Sequence, residues 1–179
     1  MKYSVLIFFA SFLIACQSRN KESNKNDVIH SMFKVNDSKL QLPNTKDVLV
    51  VRTHYTNDMR WNKVRHLIRF PSNPGGYKAF VEFLEDDHCS EVEANWFLDK
   101  NQKYEHLFIF LVDSLTIYDR EHPLLCVDLY EKPGQSFRVV ASALWEVENN
   151  LSTANTDWEE LQFSLDEDGV YRSVVWPLK

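Results

Sequence analysis

The sequence predicts an α/β fold, with α+β as the alternative: a single domain built on one mixed β-sheet with helices packed on its faces. Three observations carry that expectation. Leu107 to Val112, inside the stretch His106–Asp113, is an unbroken apolar run bounded by polar residues, which suits a strand buried on both faces. Val48 to Val51 repeats the pattern and is followed by apolar residues at helical spacing. Lys132-Pro133-Gly134-Gln135, between two further apolar runs, is a turn in which Pro presets φ and Gly supplies a positive φ. Strand–helix alternation at the front predicts a parallel portion of the sheet, and the hairpin adds an antiparallel one.

The elements follow in order. Val48–Val51 gives the first strand. Thr56 or Asn57 can cap the next helix, whose stripe is Trp61, Val64, Leu67 and Ile68. Its other faces carry Arg60, Lys63, Arg65, His66 and Arg69, a basic surface that could meet anionic lipid or an acidic partner, although a solvated face is favoured. Ala79–Leu84 is the second strand. Ser90 with Glu93 forms a capping box for a short helix through Trp96, Phe97 and Leu98. After the central run come strands at Leu124–Tyr130 and Phe137–Val140. Ser142 can cap a helix bearing Leu144, Val147 and Leu151. Thr156 with Glu159, or Asp157 with Glu160, starts another helix, and Asp168-Gly169 turns into a last strand over Val170–Trp176.

The amino terminus supplies an address. Lys2 precedes an apolar stretch from Val5 to Ile14, of signal-peptide length and short of the ~20 residues that span a bilayer. Leu13-Ile14-Ala15-Cys16 closes it and resembles a bacterial lipobox. That resemblance implies a signal peptide over 1–15, cleavage before Cys16 and acylation of Cys16, each buried methylene adding ~0.8 kcal/mol of anchoring. Gln17 after the cysteine, by the same resemblance, points to the outer membrane, facing the periplasm. Gln17 to Asp27 contains no apolar residue and reads as a tether. The expected organisation is a leader over 1–15, a lipidated cysteine and tether over 16–41, and a globular domain over 42–179. An oxidising envelope would allow a Cys89–Cys126 disulfide, but Cys126 sits inside an apolar strand, where a buried free thiol is favoured.

Composition narrows the function class. A formal charge of −6 disfavours nucleic acid as a partner, because phosphate binding needs clustered Lys and Arg. Twelve Phe, seven Tyr and five Trp argue for a packed core and against disorder. No nucleophile elbow, zincin motif, nucleotide loop or Cys-x-x-Cys pair occurs, so no cofactor and no metal is expected. The acidic loop Glu85, Asp86, Asp87, Glu91 and Glu93, with His88 and Cys89, matches neither EF-hand nor zinc spacing.

The candidate site residues follow from topology. Parallel strands open their carboxyl ends on a common crevice, which would gather Arg52, His54, Glu85 and Asp113, with His122 close by. Asp128 interrupts an apolar strand and must be paired, hydrogen-bonded or functional; a structural role, through Arg138 on the returning strand or through the backbone, is favoured over a catalytic one. Glu148-Asn149-Asn150 is poor filling for a helix interior. It reads as a helix end tying down loops, or as a set of groups that bind a ligand.

From Leu42 to Arg172 the chain resembles an uncharacterised bacterial family, domain of unknown function 6924. Leu49-Val50-Val51-Arg52-Thr53, Glu121-His122-Pro123, Val127-Asp128-Leu129-Tyr130 and Val147-Glu148-Asn149-Asn150-Leu151-Ser152 carry the resemblance. It implies a shared fold and no known activity. The family pattern has Asp where this chain has His54, and an aliphatic residue in place of Cys126. The leading expectation is a lipid-anchored envelope domain that binds a protein partner, an immunity-type protein being one concrete version. The alternative is a hydrolase-like enzyme with an acid–base or metal site at the carboxyl ends of the strands.

Overall fold

A computed structural model describes residues 42–72, 75–100 and 105–173. The expectations for the leader, Cys16, the tether and residues 174–176 of the last strand lie outside them. Within the described residues the strands are β1 (Val48–Arg52), β2 (Val81–Leu84), β3 (Phe108–Val112), β4 (Pro123–Asp128), β5 (Ser136–Val140) and β6 (Val170–Tyr171). The helices are α1 (Asp58–Arg69), α2 (Ala94–Lys100), α3 (Ser114–Tyr118), α4 (Leu144–Ser152) and α5 (Trp158–Phe163).

The strands form one mixed sheet in the order β2-β1-β3-β4-β5-β6. β1 is parallel to β2 and β3, β4 is antiparallel to β3 and β5, and β6 is parallel to β5. Every residue of β3 is buried, because helices cover both faces of an interior strand and leave no side for polar residues. Val50, Phe108, Phe110, Cys126 and Phe137 face Trp61, Val64, Leu144 and Trp158 in one core. Leu49, Val51, Ile109, Leu111 and Val127 face Phe97 and Cys89 in the other. Alternation along each strand sends neighbours into opposite cores.

Local chemistry explains the helix starts. Asn57 caps α1, its side chain accepting the Arg60 N–H, and Asp157 with Glu160 makes a full capping box on α5. Two expected caps are not used. Ser142 lies in a 3₁₀ turn, Ala141–Ala143, and α4 starts without a side-chain cap. Ser90 and Glu93 form no box either. Asp86 caps a 3₁₀ turn at Asp87–Cys89, Glu91 takes a φ of 55°, and α2 begins only at Ala94.

The basic residues of α1 are largely engaged with the protein. Arg60 donates to the carbonyls of Ile117 and Tyr118, Arg65 pairs with Glu85, and Arg69 lies 4.7 Å over the Phe83 ring. Cys89 and Cys126 are both buried and free, so the disulfide is not formed. Burial pushes the Cys89 thiol up to about 12 and the Cys126 thiol upward as well, which makes both poor nucleophiles.

Candidate functional site

The register places Arg52 opposite Val112, so β1 and β3 open their carboxyl ends side by side. Arg52 is buried there, 4.4 Å beneath the Tyr55 ring, and its guanidinium is shared among three acceptors. Nε donates to the His54 carbonyl at 3.1 Å, Nη2 to Asp58 at 2.6 Å and Nη1 to Glu85 at 3.4 Å. Glu85 also accepts the Trp61 indole N–H at 2.9 Å. Arg52, His54 and Glu85 therefore do come together, as a brace between β1, α1 and the end of β2. Asp58 was not among the candidates, and nothing in its local sequence marks it as more than a first-turn acid.

His54 stands in a chain of hydrogen bonds. Its Nδ1 lies 2.7 Å from Glu91 Oε1, and a carboxylate only accepts, so Nδ1 carries the proton. In the neutral ring Nε2 then accepts from the Thr56 hydroxyl at 2.6 Å, and Thr56 Oγ1 lies 2.7 Å from the Tyr118 hydroxyl. His54 is nearly buried while Glu91 is 64% exposed on its side chain, so the carboxylate end faces water. Glu91, Thr56 and Tyr118 are invisible as partners in the sequence, since Glu91 is 37 residues away.

Asp113 belongs to a separate network. Its carboxylate caps α3 through the Thr116 N–H and takes a two-pronged bond from Arg138, at 2.5 and 3.3 Å. Burial raises the Asp113 pKa, but the Arg138 and Thr116 bonds outweigh it and hold the carboxyl below its ordinary value of 3.8. The expected Arg138–Asp128 pair is thereby corrected. Arg138 sits opposite Leu125, and Asp128 instead accepts the backbone N–H groups of Tyr130, Glu131 and Lys132. That turn satisfies a buried carboxylate without any cation. His122, buried with a φ of 54°, donates Nδ1–H to the Thr116 carbonyl, and its Nε2 has no partner among the described residues.

An open cleft of about 340 Å³ lies over these strand ends, lined by Thr53, Glu91, Glu93, Leu111, Asp113 and Ser114 among others. Of the five candidates from topology, Asp113 alone lines it. Among the described residues no group of three or more His, Cys, Asp or Glu is placed to hold a metal ion. The acidic loop is spread over separate tasks, with Glu85 on Arg52, Asp86 on the His88 N–H and Glu91 on His54.

A different concavity opens at the opposite end of the sheet. Leu107, Phe108 and Tyr130 face Leu151, Ala154 and Trp158 across a pocket of about 160 Å³. Leu107 and Tyr130 are 49% and 51% exposed, so apolar surface continues out of the pocket onto the protein's exterior. Sequence reasoning missed this pocket, because its walls come from β3, the turn after β4 and the α4–α5 connection.

Glu148-Asn149-Asn150 lies inside α4, and the side chains of Glu148 and Asn150, though not of Asn149, tie down neighbouring segments. Asn150 accepts from the Asn155 amide at 2.9 Å, which fixes the connection that forms one pocket wall. Asn149 is exposed, and its carbonyl accepts the Thr153 hydroxyl. Glu148 is buried and accepts the Phe80 N–H at 3.0 Å and the Ser152 hydroxyl at 2.9 Å.

Burial raises the Glu148 pKa above its ordinary 4.5, and the two hydrogen bonds only partly oppose it. The folded state therefore binds this proton more tightly than the unfolded chain. Stability from this group is present below pH 4.5 and lost as pH rises toward the raised value. Glu148→Gln keeps an acceptor for the Phe80 N–H, and its amide N–H can donate to the Ser152 hydroxyl, reversing the direction of that bond. Its melting temperature should exceed that of wild type at pH 7, with the gap closing near pH 4. A gap that is constant with pH would contradict this.

Residues 47–174 match the family model described as "Domain of unknown function (DUF6924)". Comparison with curated proteins gives no match.

Proposed function

We propose a function for a chain that belongs to the DUF6924 family: a binding domain that docks a protein partner, held at a bacterial envelope membrane by lipid on Cys16. The apolar pocket between Leu107, Tyr130, Leu151 and Trp158 carries this reading, because it leaves apolar surface open to solvent. The charged groups at the opposite end support it by being consumed internally, Arg52 by Asp58 and Glu85, and Asp113 by Arg138. Such ion pairs brace loops rather than poise a reaction. An immunity-type role, in which the domain neutralises a toxin, is the concrete form of this proposal. Among the described residues no helix is long and apolar enough to cross a membrane. The lipobox-like Leu13-Ile14-Ala15-Cys16 supports anchoring through Cys16, with the domain facing the periplasm. Cys16→Ser should abolish acyl labelling and move the protein from the outer-membrane to the soluble fraction. Unchanged fractionation of the variant would contradict the anchor.

One observation favours a hydrolase-like reading. Glu91, His54 and Thr56 form a carboxylate–imidazole–hydroxyl chain at 2.7 and 2.6 Å, an order in which His54 could take the Thr56 proton. The binding reading is preferred, since Thr56 Oγ1 is also tied to Tyr118 and none of the residues lining the neighbouring cleft is Thr56. Hydrolysis of p-nitrophenyl acetate by the purified chain decides between them. The binding reading expects equal rates from wild type, Thr56→Ala and His54→Asn, whereas loss in both variants would establish the enzyme.

A further inference from the structure

We infer that the pocket at the amino end of β3 takes a single leucine- or phenylalanine-sized side chain from a partner segment carrying Lys or Arg beside that anchor. This rests on the binding reading and specifies the partner's chemistry.

Size sets the anchor. The pocket holds about 160 Å³, close to the volume of an apolar cavity that accepts benzene. It has room for one ring or one branched aliphatic group. Its walls are mainly Leu107, Phe108, Leu151 and Trp158, whose burial of an apolar guest is favourable by roughly 25 cal/mol per Å².

Charge sets the flanks. Glu131 and Asp157 also line the pocket and are exposed. Asp157 spends one oxygen on the Glu160 N–H and keeps the other for solvent or a guest. The adjacent cation, Lys132, is committed to Glu159. The pocket rim is thus negative on a chain whose net charge is −6, so a cation next to the anchor is attracted and an anion repelled.

The pocket is also formed in advance. The turn after Asp128 is held by three backbone N–H groups donating to the Asp128 carboxylate, the α4–α5 connection by Asn150 and Asn155, and the α5 start by its capping box. Ala154, on the pocket wall, holds a φ of 51°, a conformation that glycine adopts at lower cost. Fixed walls spare a guest the ordering cost that weakens binding to mobile surfaces.

Three blocked pentapeptides test this against the full chain by amide chemical-shift titration: Lys-Lys-Phe-Lys-Lys, Glu-Glu-Phe-Glu-Glu and Lys-Lys-Ser-Lys-Lys. The first should shift Leu107, Tyr130, Ala154 and Trp158 and bind roughly tenfold more tightly than either of the others. Glu131→Lys lies on an exposed turn and should fold normally while erasing the preference for Lys flanks. Equal binding of the Glu-flanked peptide overturns the charge assignment and leaves the pocket as a binding site. Equal binding of the Ser peptide overturns the apolar anchor. Shifts in the same residues on raising the protein concentration alone would make the occupant a second copy of this chain, and overturn the inference. If no peptide moves the pocket residues, the binding reading of the pocket fails with it.

Discussion

Phe110→Ala should destabilise the fold by ~3–5 kcal/mol, the cost of removing a large ring from a site that cannot collapse. Phe110 is fully buried in the middle of β3, opposite Val50 on β1 and Cys126 on β4, and meets Phe108 edge-to-face at 5.7 Å. Paired strands on both sides fix the backbone, so neighbouring groups have little freedom to close the void. Domains of this size are commonly stable by only about 5–15 kcal/mol, so the variant should unfold at a much lower urea midpoint with an unchanged slope. Equal midpoints for Phe110→Ala and wild type would mean that β3 is not the centre of the core.

Arg52→Ala has the second largest expected effect, a loss of about 1–3 kcal/mol set mainly by the buried acceptor left without its donor, since Asp58 and Glu85 are solvent-exposed and their pairs hold less. The substitution leaves the His54 carbonyl and Asp58 without this donor, while Glu85 keeps Trp61 and Arg65, and it empties the space under Tyr55. Arg52→Lys should recover less than half of the loss, because an ammonium cannot present the planar fork that reaches three acceptors. Chemical denaturation of the two variants and wild type reads this directly. Were Arg52 a ligand-binding group, Arg52→Ala would change stability little and remove binding instead.

These effects show which features the sequence discloses. β3 was legible because burial on both faces requires an unbroken apolar run, a property of the strand alone. The Asp157–Glu160 capping box and the turn at Gly134, where φ is 90°, were legible for the same local reason. Partners set by tertiary register were not. Asp128 and Arg138 lie on adjacent strands, yet Leu125 rather than Asp128 faces Arg138, so the guanidinium reaches across to Asp113. The Ser90–Glu93 pattern failed because Asp86 diverts the chain into a 3₁₀ turn first. At the carboxyl ends the alternation of strands and helices was enough to gather Arg52, His54 and Glu85, but their roles depend on Asp58, Glu91 and Thr56, which carry no motif. The pocket at the other end, assembled from three separated segments, left no trace in any one of them.

A photo-crosslinking pair separates the two ends of the sheet in cells that express the full chain. One crosslinking residue replaces Leu107, half exposed at the pocket, and the other replaces Ser114, exposed on the cleft at the carboxyl ends. Any crosslinked protein is identified by mass spectrometry, purified and rebound to wild type and to Leu107→Glu. A binding domain that uses the pocket predicts an adduct at position 107, none at 114, and rebinding lost in Leu107→Glu. An adduct formed only at 114, with rebinding unaffected by Leu107→Glu, would contradict it.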